Sequence, residues 1–256
     1  MTSAPQTSAC LAAAPIRIGC AGWSLSANVA AHCPGQGSHL ERYARVFSTV
    51  EINSSFYRPH QAKTYARWAH SVPDAFRFSV KLPRTISHEC RLRDAEPALR
   101  AFLHEVGHLG EKLGCLLLQL PPSLGFDRAV VQDFFALLAG LATVPVVCEP
   151  RHAAWFSAEA AQTMQAAGVA CVRADPPPVA GGEPNDDPAR LYLRLHGSPQ
   201  VYYSAYEDVF LDALAARIRA AQQSQIPVWC VFDNTARGAA IPNALTLMRK
   251  LQNAAS

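Results

Sequence analysis

Apolar runs of strand length recur along the chain and alternate with longer segments that carry helical signals. The eight runs lie at Ile16–Cys20, Thr49–Asn53, Phe76–Leu82, Cys115–Leu120, Val144–Glu149, Val169–Ala174, Leu191–His196 and Val228–Asp233. The helical segments lie at Ser38–Phe47, Gln61–His70, Asp94–Lys112, Asp127–Leu141, Ser157–Ala167, Glu207–Gln225 and Ala239–Gln252. Ser38 and Glu41 have the spacing of a capping box, which predicts the start of the first of these helices. Such alternation predicts a parallel sheet with helical crossovers, and eight strands predict a single-domain α/β protein, a TIM-type (β/α)8 barrel over residues 16–254. The competing fold, a doubly wound open sheet, usually has a G-x-G-x-x-G turn, which this sequence lacks.

The side chains within these strands alternate between apolar and polar positions. In the second strand Glu51 and Asn53 share one phase, and Val50 and Ile52 share the other. The third and seventh strands follow the same rule, with Ser79, Lys81, Tyr192, Arg194 and His196 in the polar phase. The apolar phase suits contact with outer helices and the polar phase suits the interior of a barrel. A sheet with one wet face is the alternative, which the intervening helices disfavour.

Polar groups end nearly every predicted strand, where TIM barrels carry their chemistry. They are Glu51 and Asn53, Lys81, Gln119, Glu149, Asp175, Arg194 and His196, and Asp233 or Asn234. Two carboxylates in different environments can serve as acid and base, so we assign these roles to Glu51 and Glu149. His196 can carry protons near neutral pH, and Lys81 and Arg194 can bind an anion or stabilise developing negative charge. The alternative is a set of structural ion pairs, which look the same in sequence.

Three loops add weaker signals. Residues 175–189 are rich in proline and glycine, which predicts a loop over the mouth of the barrel, either a lid or a tolerated insertion. Gly197-Ser198 and Asn234–Gly238 follow the last two strands, where barrels often bind phosphate, and Arg237 suits that use. Ordinary turns are the alternative for these two loops.

A rival motif, H-E-x-x-H, occurs at His104–His108. On a helix, these two histidines share one face and can bind zinc, with Glu105 as the base. The motif lies on a predicted outer helix, where surface histidines are the simpler interpretation. We therefore assign no metal ligand and no cofactor from the sequence.

Composition and charge narrow the class of protein. The chain has 256 residues, a net charge of +3 and no apolar run long enough to span a membrane. The charge is too small and too scattered for a nucleic-acid binder, so the expected partner is a small molecule. Eight cysteines without a C-x-x-C pair favour a reducing, cytoplasmic location. Residues 1–15 read as a disordered tail or, less readily, as a processed leader.

Several motifs together resemble the YecE-like family, a domain of unknown function. They are IRIGCAGWS (16–24), VEINSSFYR (50–58), FRFSVKLPRTISHE (76–89), LLLQLPPSL (116–124), EPRHAAWF (149–156), RLHG (194–197) and FDNTARGAA (232–240). The resemblance implies a TIM barrel and a bacterial protein of cytoplasmic type, and it supplies no reaction. Motif residues of the family match Trp23, Glu51, Asn53, Tyr57, Lys81, His88, Gln119, Glu149, Arg151, His152, Arg194, His196 and Asn234. The first loop, 25–38, lacks the W-x-G-x-F-Y-P run common in the family.

These observations lead to one expectation for the function and two alternatives. We expect an enzyme of hydrolase or lyase/isomerase type that performs acid–base chemistry on a small polar or anionic, phosphorylated or sugar-like, substrate. Its catalytic residues are Glu51, Glu149, His196 and Lys81, and its substrate-binding residues are Trp23, Asn53, Tyr57, His88, Gln119, Arg151, Arg194 and Asn234. The alternatives are a non-catalytic binding barrel and a metal-dependent hydrolase.

Overall fold

Parallel strands with helices between them make up the protein. The computed structural model describes residues 13–184, 187 and 189–253. The strands of this part of the chain are β1 (Ile16–Cys20), β2 (Thr49–Ile52), β3 (Arg77–Lys81), β4 (Leu113–Gln119), β5 (Val146–Glu149), β6 (Ala170–Cys171), β7 (Arg173–Asp175), β8 (Leu191–Leu195) and β9 (Val228–Phe232). Its α-helices are α1 (His39–Ala44), α2 (Ala62–His70), α3 (Glu96–Val106), α4 (Arg128–Leu141), α5 (Ala158–Ala166), α6 (Asp208–Gln223) and α7 (Ala240–Gln252).

The strands follow one another around a TIM-type barrel, which confirms the predicted fold. Strand pairing has the order β1-β9-β8-β7 in one sheet and β2-β3-β4-β5-β6 in the other, and every strand pair is parallel. The sheets meet at a bridge between Ala21 and Glu51. They meet again at Val172, between β6 and β7, where the N–H of Val172 donates to the carbonyl of Cys148 on β5 at 2.8 Å.

Close approach at the first junction depends on a missing side chain. A Cβ on Gly19 would lie 2.1 Å from the carbonyl oxygen of Thr49, so only glycine lets β1 run this close to β2. The buried hydroxyl of Tyr43 joins the same two strands. It accepts from the N–H of Cys20 at 2.8 Å and donates to the carbonyl of Thr49 at 3.0 Å. These hydrogen bonds connect β1 and β2 at a junction where a single bridge replaces a full ladder of backbone hydrogen bonds.

Two apolar layers lie on the two faces of the strands. The outer layer, between strands and helices, contains the predicted apolar phase, including Val50, Ile52, Phe78, Val80 and Leu193. The inner layer fills the lumen with Cys115, Leu117, Val147, Ala170, Val172, Tyr192, Trp229 and Val231. The polar phase therefore points into the barrel, as the alternation predicted.

The structure also differs from the predicted elements in two places. The sixth predicted strand is divided at Val172 into β6 and β7. The helix predicted to end at Lys112 ends at Val106, and a 3-10 segment follows in which Gly110 has a φ of 54°. The described residues form no helix between β7 and β8, where the sequence predicted the 175–189 loop. Residues 185, 186 and 188 of that loop, and residues 1–12 of the predicted tail, lie outside the described residues.

The start of the first helix follows the sequence prediction. The capping box at the start of α1 is confirmed, since Ser38 Oγ accepts from the N–H of Glu41 and the carboxylate of Glu41 accepts from the N–H of Ser38. Within the described part of the chain, no helix has both the length and the apolar character required to cross a bilayer.

Candidate functional site

Arg194, on β8, occupies the centre of the lumen and binds three carboxylates. Its Nη2 donates to Glu51 Oε1 at 2.6 Å and to Asp233 Oδ2 at 3.0 Å, and its Nη1 donates to Glu149 Oε2 at 2.8 Å. Its Nε completes a forked contact with Glu51. These four residues come from β8, β2, β5 and the segment after β9, and all four are buried. Parallel strands that end at the same rim thus bring together groups far apart in sequence.

His196 lies between two of these carboxylates. Its Nδ1 is 3.0 Å from Asp233 Oδ2, and its Nε2 is 3.1 Å from Glu149 Oε1. Burial opposes the charged form of His196, but the hydrogen bonds to Asp233 and Glu149 outweigh it and raise the pKa. Two carboxylate acceptors on one ring favour the imidazolium, in which both nitrogens donate.

Glu149 and Asp233 stay ionised because cations surround them. Burial raises the pKa of Glu149, but Arg194 and the hydrogen bond with His196 outweigh it and hold that pKa well below its usual range. Arg151 adds two more hydrogen bonds to Glu149 Oε1, at 2.9 and 3.2 Å. The hydroxyl of Tyr192 donates to Glu51 Oε2 at 3.0 Å and so uses an acceptor position that Arg194 leaves open. The three carboxylates are therefore counter-ions of a buried guanidinium.

Lys81, at the end of β3, differs from every other cation of the lumen. It is 4 % exposed, and among the described residues its Nζ makes no hydrogen bond and no ion pair shorter than 4 Å. The Nζ lies 4.0 Å from the centre of the Phe56 ring. Burial, followed by the charge of Arg194, lowers the pKa of Lys81 to about 8, and the lumen carboxylates oppose this only in part. A buried amine without a counter-ion is costly to keep charged, so this group is available to an incoming anion or proton.

Aromatic and basic residues form the rim around Lys81. The ring of His88 packs edge-on against Phe56 at 4.9 Å, so Phe56 contacts both His88 and Lys81. Burial, followed by the charges of Lys81 and Arg84, lowers the pKa of His88, which leaves its ring neutral at pH 7. Tyr202, from the loop after β8, packs edge-on against His196 at 5.8 Å.

A large cavity lies on the other side of the β2 turn. It has a volume of about 770 Å³ and is bounded by the segments that follow β1, β2 and β9. Trp23, Asn53 and Arg237 are among its lining residues. The Oδ1 of Asn53 is enclosed and has no hydrogen-bond donor among the described residues. The rim is thus divided into a basic side at Lys81 and a polar cavity at Trp23, with the segment Asn53–Tyr57 between them.

The remaining predicted residues take several positions at this rim. Gln119 ends β4 in register with Glu149 on β5. Tyr57 is 72 % exposed and packs edge-on against Phe56. Asn234 is buried, and its Nδ2 donates to the carbonyl of Ser204 and to Asn243 Oδ1, so it joins the loops after β8 and β9 to α7.

Some contributing residues were not identified from the sequence. Tyr192 lies in the polar phase of β8 and could have been found from that phase, and its hydroxyl lies 2.7 Å from Ser79 Oγ. Tyr202 lies in a turn, where periodicity carries no signal. Arg237 was considered only for phosphate, and in the structure its guanidinium lies 5.4 Å from the ring of Tyr203.

The H-E-x-x-H motif lies far from this rim, on the outside of the barrel. His104 belongs to α3 and His108 to the 3-10 segment after it, and both are exposed. The residues described contain no group of three His, Cys, Asp or Glu side chains with metal-site geometry. In the lumen, the guanidinium of Arg194 occupies the point where the three carboxylates converge, so this donor set does not fit a metal ion.

The described residues of the 175–189 loop extend along the barrel wall. Glu183 Oε2 lies 3.8 Å from Arg173 Nη1, and Gly182 lies against Phe156. At its start, Asp175 accepts a hydrogen bond from the hydroxyl of Tyr206 at 2.8 Å. A lid role for this loop stays a prediction.

Comparison with known proteins identifies relatives with the same fold, and the match to the first curated relative spans less than two thirds of that protein's length. The family described as "Protein of unknown function DUF72" matches residues 17–256. UPF0759 protein YecE of Escherichia coli K12 is 33 % identical over 157 residues, a match that covers 59 % of this chain and only 57 % of that protein. A DUF72 family protein from Enterococcus faecalis has a crystal structure that superimposes with a TM-score of 0.78 at 22 % identity, covering 93 % of this chain and 95 % of that one. One from Thermotoga maritima gives a TM-score of 0.76 at 22 % identity, covering 93 % and 99 %.

Proposed function

The chain belongs to the DUF72 family, and from that premise we propose that it is an enzyme that transfers protons on a small anionic substrate at the C-terminal mouth of its barrel. The observation that carries the proposal is Lys81. It is the buried cation of the rim without a partner, whereas Glu51, Glu149 and Asp233 are all bound to other cations.

The charge balance of the rim supports an anionic substrate. Four basic groups, Lys81, Arg151, Arg194 and protonated His196, meet three carboxylates, Glu51, Glu149 and Asp233. A surplus positive charge in a partly dry cleft attracts an anion more strongly than a charge in water does. In this proposal Lys81 and Arg151 contact the anionic group.

Proton transfer needs a group that can change its charge near neutral pH. Lys81, with a pKa of about 8, satisfies this condition, and the lowered pKa of His88 keeps its ring neutral and able to accept a proton. Neutral His88 would accept a proton from the substrate, and the ammonium of Lys81 would stabilise the negative charge that develops. Glu51 and Glu149, which the sequence suggested as base and acid, would instead keep Arg194 and Arg151 in place, because cations occupy their oxygens.

A binding protein without catalysis is the second candidate. The observation in its favour is that every lumen carboxylate is held in an ion pair, which leaves no free carboxylate to act as a base. The two candidates share the anion contact and differ in the role of His88.

Anion binding is the first test. We expect inorganic phosphate, titrated calorimetrically at pH 7, to bind the wild type and to bind Lys81→Met about tenfold or more weakly, since a buried charged contact is lost. Lys63→Met is the matched control, because Lys63 is exposed on α2, and it should bind phosphate as the wild type does. Among the described residues Lys81 forms no ion pair, so its replacement leaves no buried charge without its partner and should not unfold the protein. Equal phosphate affinity in Lys81→Met and the wild type would refute the anion contact.

Hydrogen exchange is the second test and separates catalysis from binding. Phosphate esters and carboxylic acids that bind would be incubated in D2O and followed by NMR. An acid–base enzyme should replace a substrate C–H by deuterium or convert the compound, and His88→Gln should lose this activity while it keeps the binding. Ligands that bind tightly but neither exchange nor react would favour the binding protein.

A further inference from the structure

The cavity beside β1 has a mixed lining, in which about half of the residues carry side chains that form hydrogen bonds. Hydroxyl, amide, imidazole and guanidinium side chains surround one indole, namely Ser24, Ser26, Ser54, Thr235, Asn28, Asn53, His39, Arg237 and Trp23. An apolar ligand would leave these groups without partners, which is unfavourable. A ligand with many hydroxyl groups would satisfy them.

Trp23 is held firmly enough to act as a platform. Its ring meets Trp68 edge-on at 5.0 Å, and Trp68 in turn packs edge-on against Tyr65 at 5.6 Å. The face of an indole carries partial negative charge and attracts the polarised C–H groups of a sugar ring. Trp23 lines the cavity and is only partly buried, so an indole surface is available there.

Acceptors and donors are both present at the cavity wall. The Oδ1 of Asn53 is enclosed without a donor, so a ligand hydroxyl would supply the missing hydrogen bond. His39 Nδ1 accepts from the N–H of Leu25 at 3.2 Å, which places the hydrogen of the neutral ring on Nε2. His39 therefore offers a donor and Asn53 an acceptor, and both residues line the cavity.

The two loops that form the cavity are fixed to each other. Asn28 Nδ2 donates to the carbonyl of Arg237 at 3.1 Å, and Ser26 Oγ donates to Asn28 Oδ1 at 2.6 Å. Gly238 has a φ of 79°, and a Cβ there would lie 2.9 Å from both Asn28 and Val29, so a glycine permits this contact. The cavity is thus largely preformed.

The cavity and the amine of Lys81 lie on two sides of one short turn. Asn53 and Ser54 line the cavity, Ser55 Oγ donates to the carbonyl of Lys81 at 2.6 Å, and the next ring, Phe56, covers the Lys81 Nζ. A 3-10 turn rises about 2 Å per residue, so Asn53 and Phe56 are separated by roughly 6 Å along it. One ligand of sugar size can reach both sides.

We propose that this cavity binds the sugar ring of an anionic, phosphorylated or carboxylated, sugar whose charged group contacts Lys81. The proposal rests on the anion contact proposed above and names the substrate class. Trp23 stacks on the ring, Asn53 and His39 bind its hydroxyl groups, and Arg237 closes the cavity.

The experiment compares three sets of probes by calorimetry: inorganic phosphate, hexoses and pentoses, and the phosphates of the same sugars. In the wild type, at least one sugar phosphate should bind about tenfold or more tightly than phosphate, because the ring adds its own contacts. Trp23→Ala and Asn53→Ala should each remove most of that gain and leave the affinity for phosphate unchanged. Trp23→Phe should restore part of it. Val209→Ala is the control, because Val209 is exposed on α6 outside the cavity lining, and it should keep all of the gain.

Two results would overturn the proposal. One is that no sugar phosphate of the panel binds more tightly than phosphate. The other is that the gain persists in both Trp23→Ala and Asn53→Ala. If only the anion contact at Lys81 is wrong, the pattern is different. Free sugars, whose binding is followed by NMR saturation transfer, would still bind to Lys81→Met but would no longer bind to Trp23→Ala.

Discussion

Replacement of Arg194 by methionine tests whether the lumen is a dry ion network. The change removes the guanidinium that binds Glu51, Glu149 and Asp233, and it keeps an unbranched side chain to fill the space. Glu149 retains Arg151 and His196, and Asp233 retains His196. Among the described contacts of Glu51, only the hydrogen bond from Tyr192 would remain, so the loss falls mainly on Glu51.

The expected cost follows from burial. Removal of one partner of a buried ion pair costs about 3–5 kcal/mol of the free energy of unfolding, because a charge is left without compensation. This is a large share of the roughly 5–15 kcal/mol that stabilises an ordinary domain. Arg100→Met is the matched control, since Arg100 pairs with Glu96 on the exposed face of α3 at 2.7 Å. Exposed pairs of this kind contribute about 0.3–0.5 kcal/mol.

The pH dependence gives the diagnostic signature. The Arg194→Met variant keeps three buried carboxylates and loses one cation, and burial without a cation favours the neutral form of a carboxyl group. The deficit should therefore shrink as the pH falls, by up to about 1.4 kcal/mol per pH unit for each proton that the folded variant takes up. In the wild type the lowered pKa of Glu149 affects stability only below the unfolded value of about 4.3, whereas the raised pKa of His196 stabilises the folded state as the pH falls toward about 6.5, so the signature is the difference between the variant and the wild type.

Urea unfolding, followed by circular dichroism at pH 7.5 and 5.5, measures both effects. The deficit of Arg194→Met relative to the wild type should be about 3–5 kcal/mol at the higher pH and smaller by about 2 kcal/mol at the lower. In the double variant with Glu51→Gln the pH dependence of the deficit should largely disappear. A deficit as small as that of Arg100→Met, or one that grows as the pH falls, would refute the description of Glu51 as a buried, ionised counter-ion.

Three further predictions concern the junction of the sheets, the inner layer and the anion contact. Gly19→Ala should cost about 3 kcal/mol or more, or prevent folding, because its Cβ would lie 2.1 Å from the backbone oxygen of Thr49; urea unfolding measures this. Tyr192→Phe removes the donor to Glu51 and should cost about 1–3 kcal/mol in the same assay. Phosphate affinity should fall by up to about tenfold per pH unit above pH 8, as Lys81 loses its charge, when titrations are repeated between pH 7 and 10.

Each of these predictions has a matched control. Gly140→Ala should be neutral, because Gly140 lies on the exposed face of α4 and a Cβ there meets no atom within 4 Å. Tyr57→Phe, at an exposed tyrosine, should leave the free energy of unfolding nearly unchanged. A flat pH profile of phosphate affinity in the wild type, or the same profile in Lys81→Met, would contradict the assignment to Lys81.

Local patterns in the sequence determined the secondary-structure elements and the face of each strand on which a side chain lies. The alternation of polar and apolar residues predicted that Glu51, Lys81 and Arg194 point into the barrel. This prediction is possible because successive side chains of a strand point to opposite faces of the sheet. The capping box at Ser38 and Glu41 predicted the start of α1 for an equally local reason. The count of alternating strands and helices was enough to predict the barrel.

Tertiary structure decided which inward-pointing groups meet. Glu51 and Arg194 are 143 residues apart, and their 2.6 Å contact depends on how β2 and β8 face each other across the lumen, which no local pattern encodes. The same arrangement brings three carboxylates to one guanidinium and leaves Lys81 beside Phe56 without a counter-ion. The sequence could therefore place charged side chains at the rim. Only the tertiary structure decided which of the described side chains form ion pairs and which amine does not, because pairing depends on distances between strands that are remote along the chain.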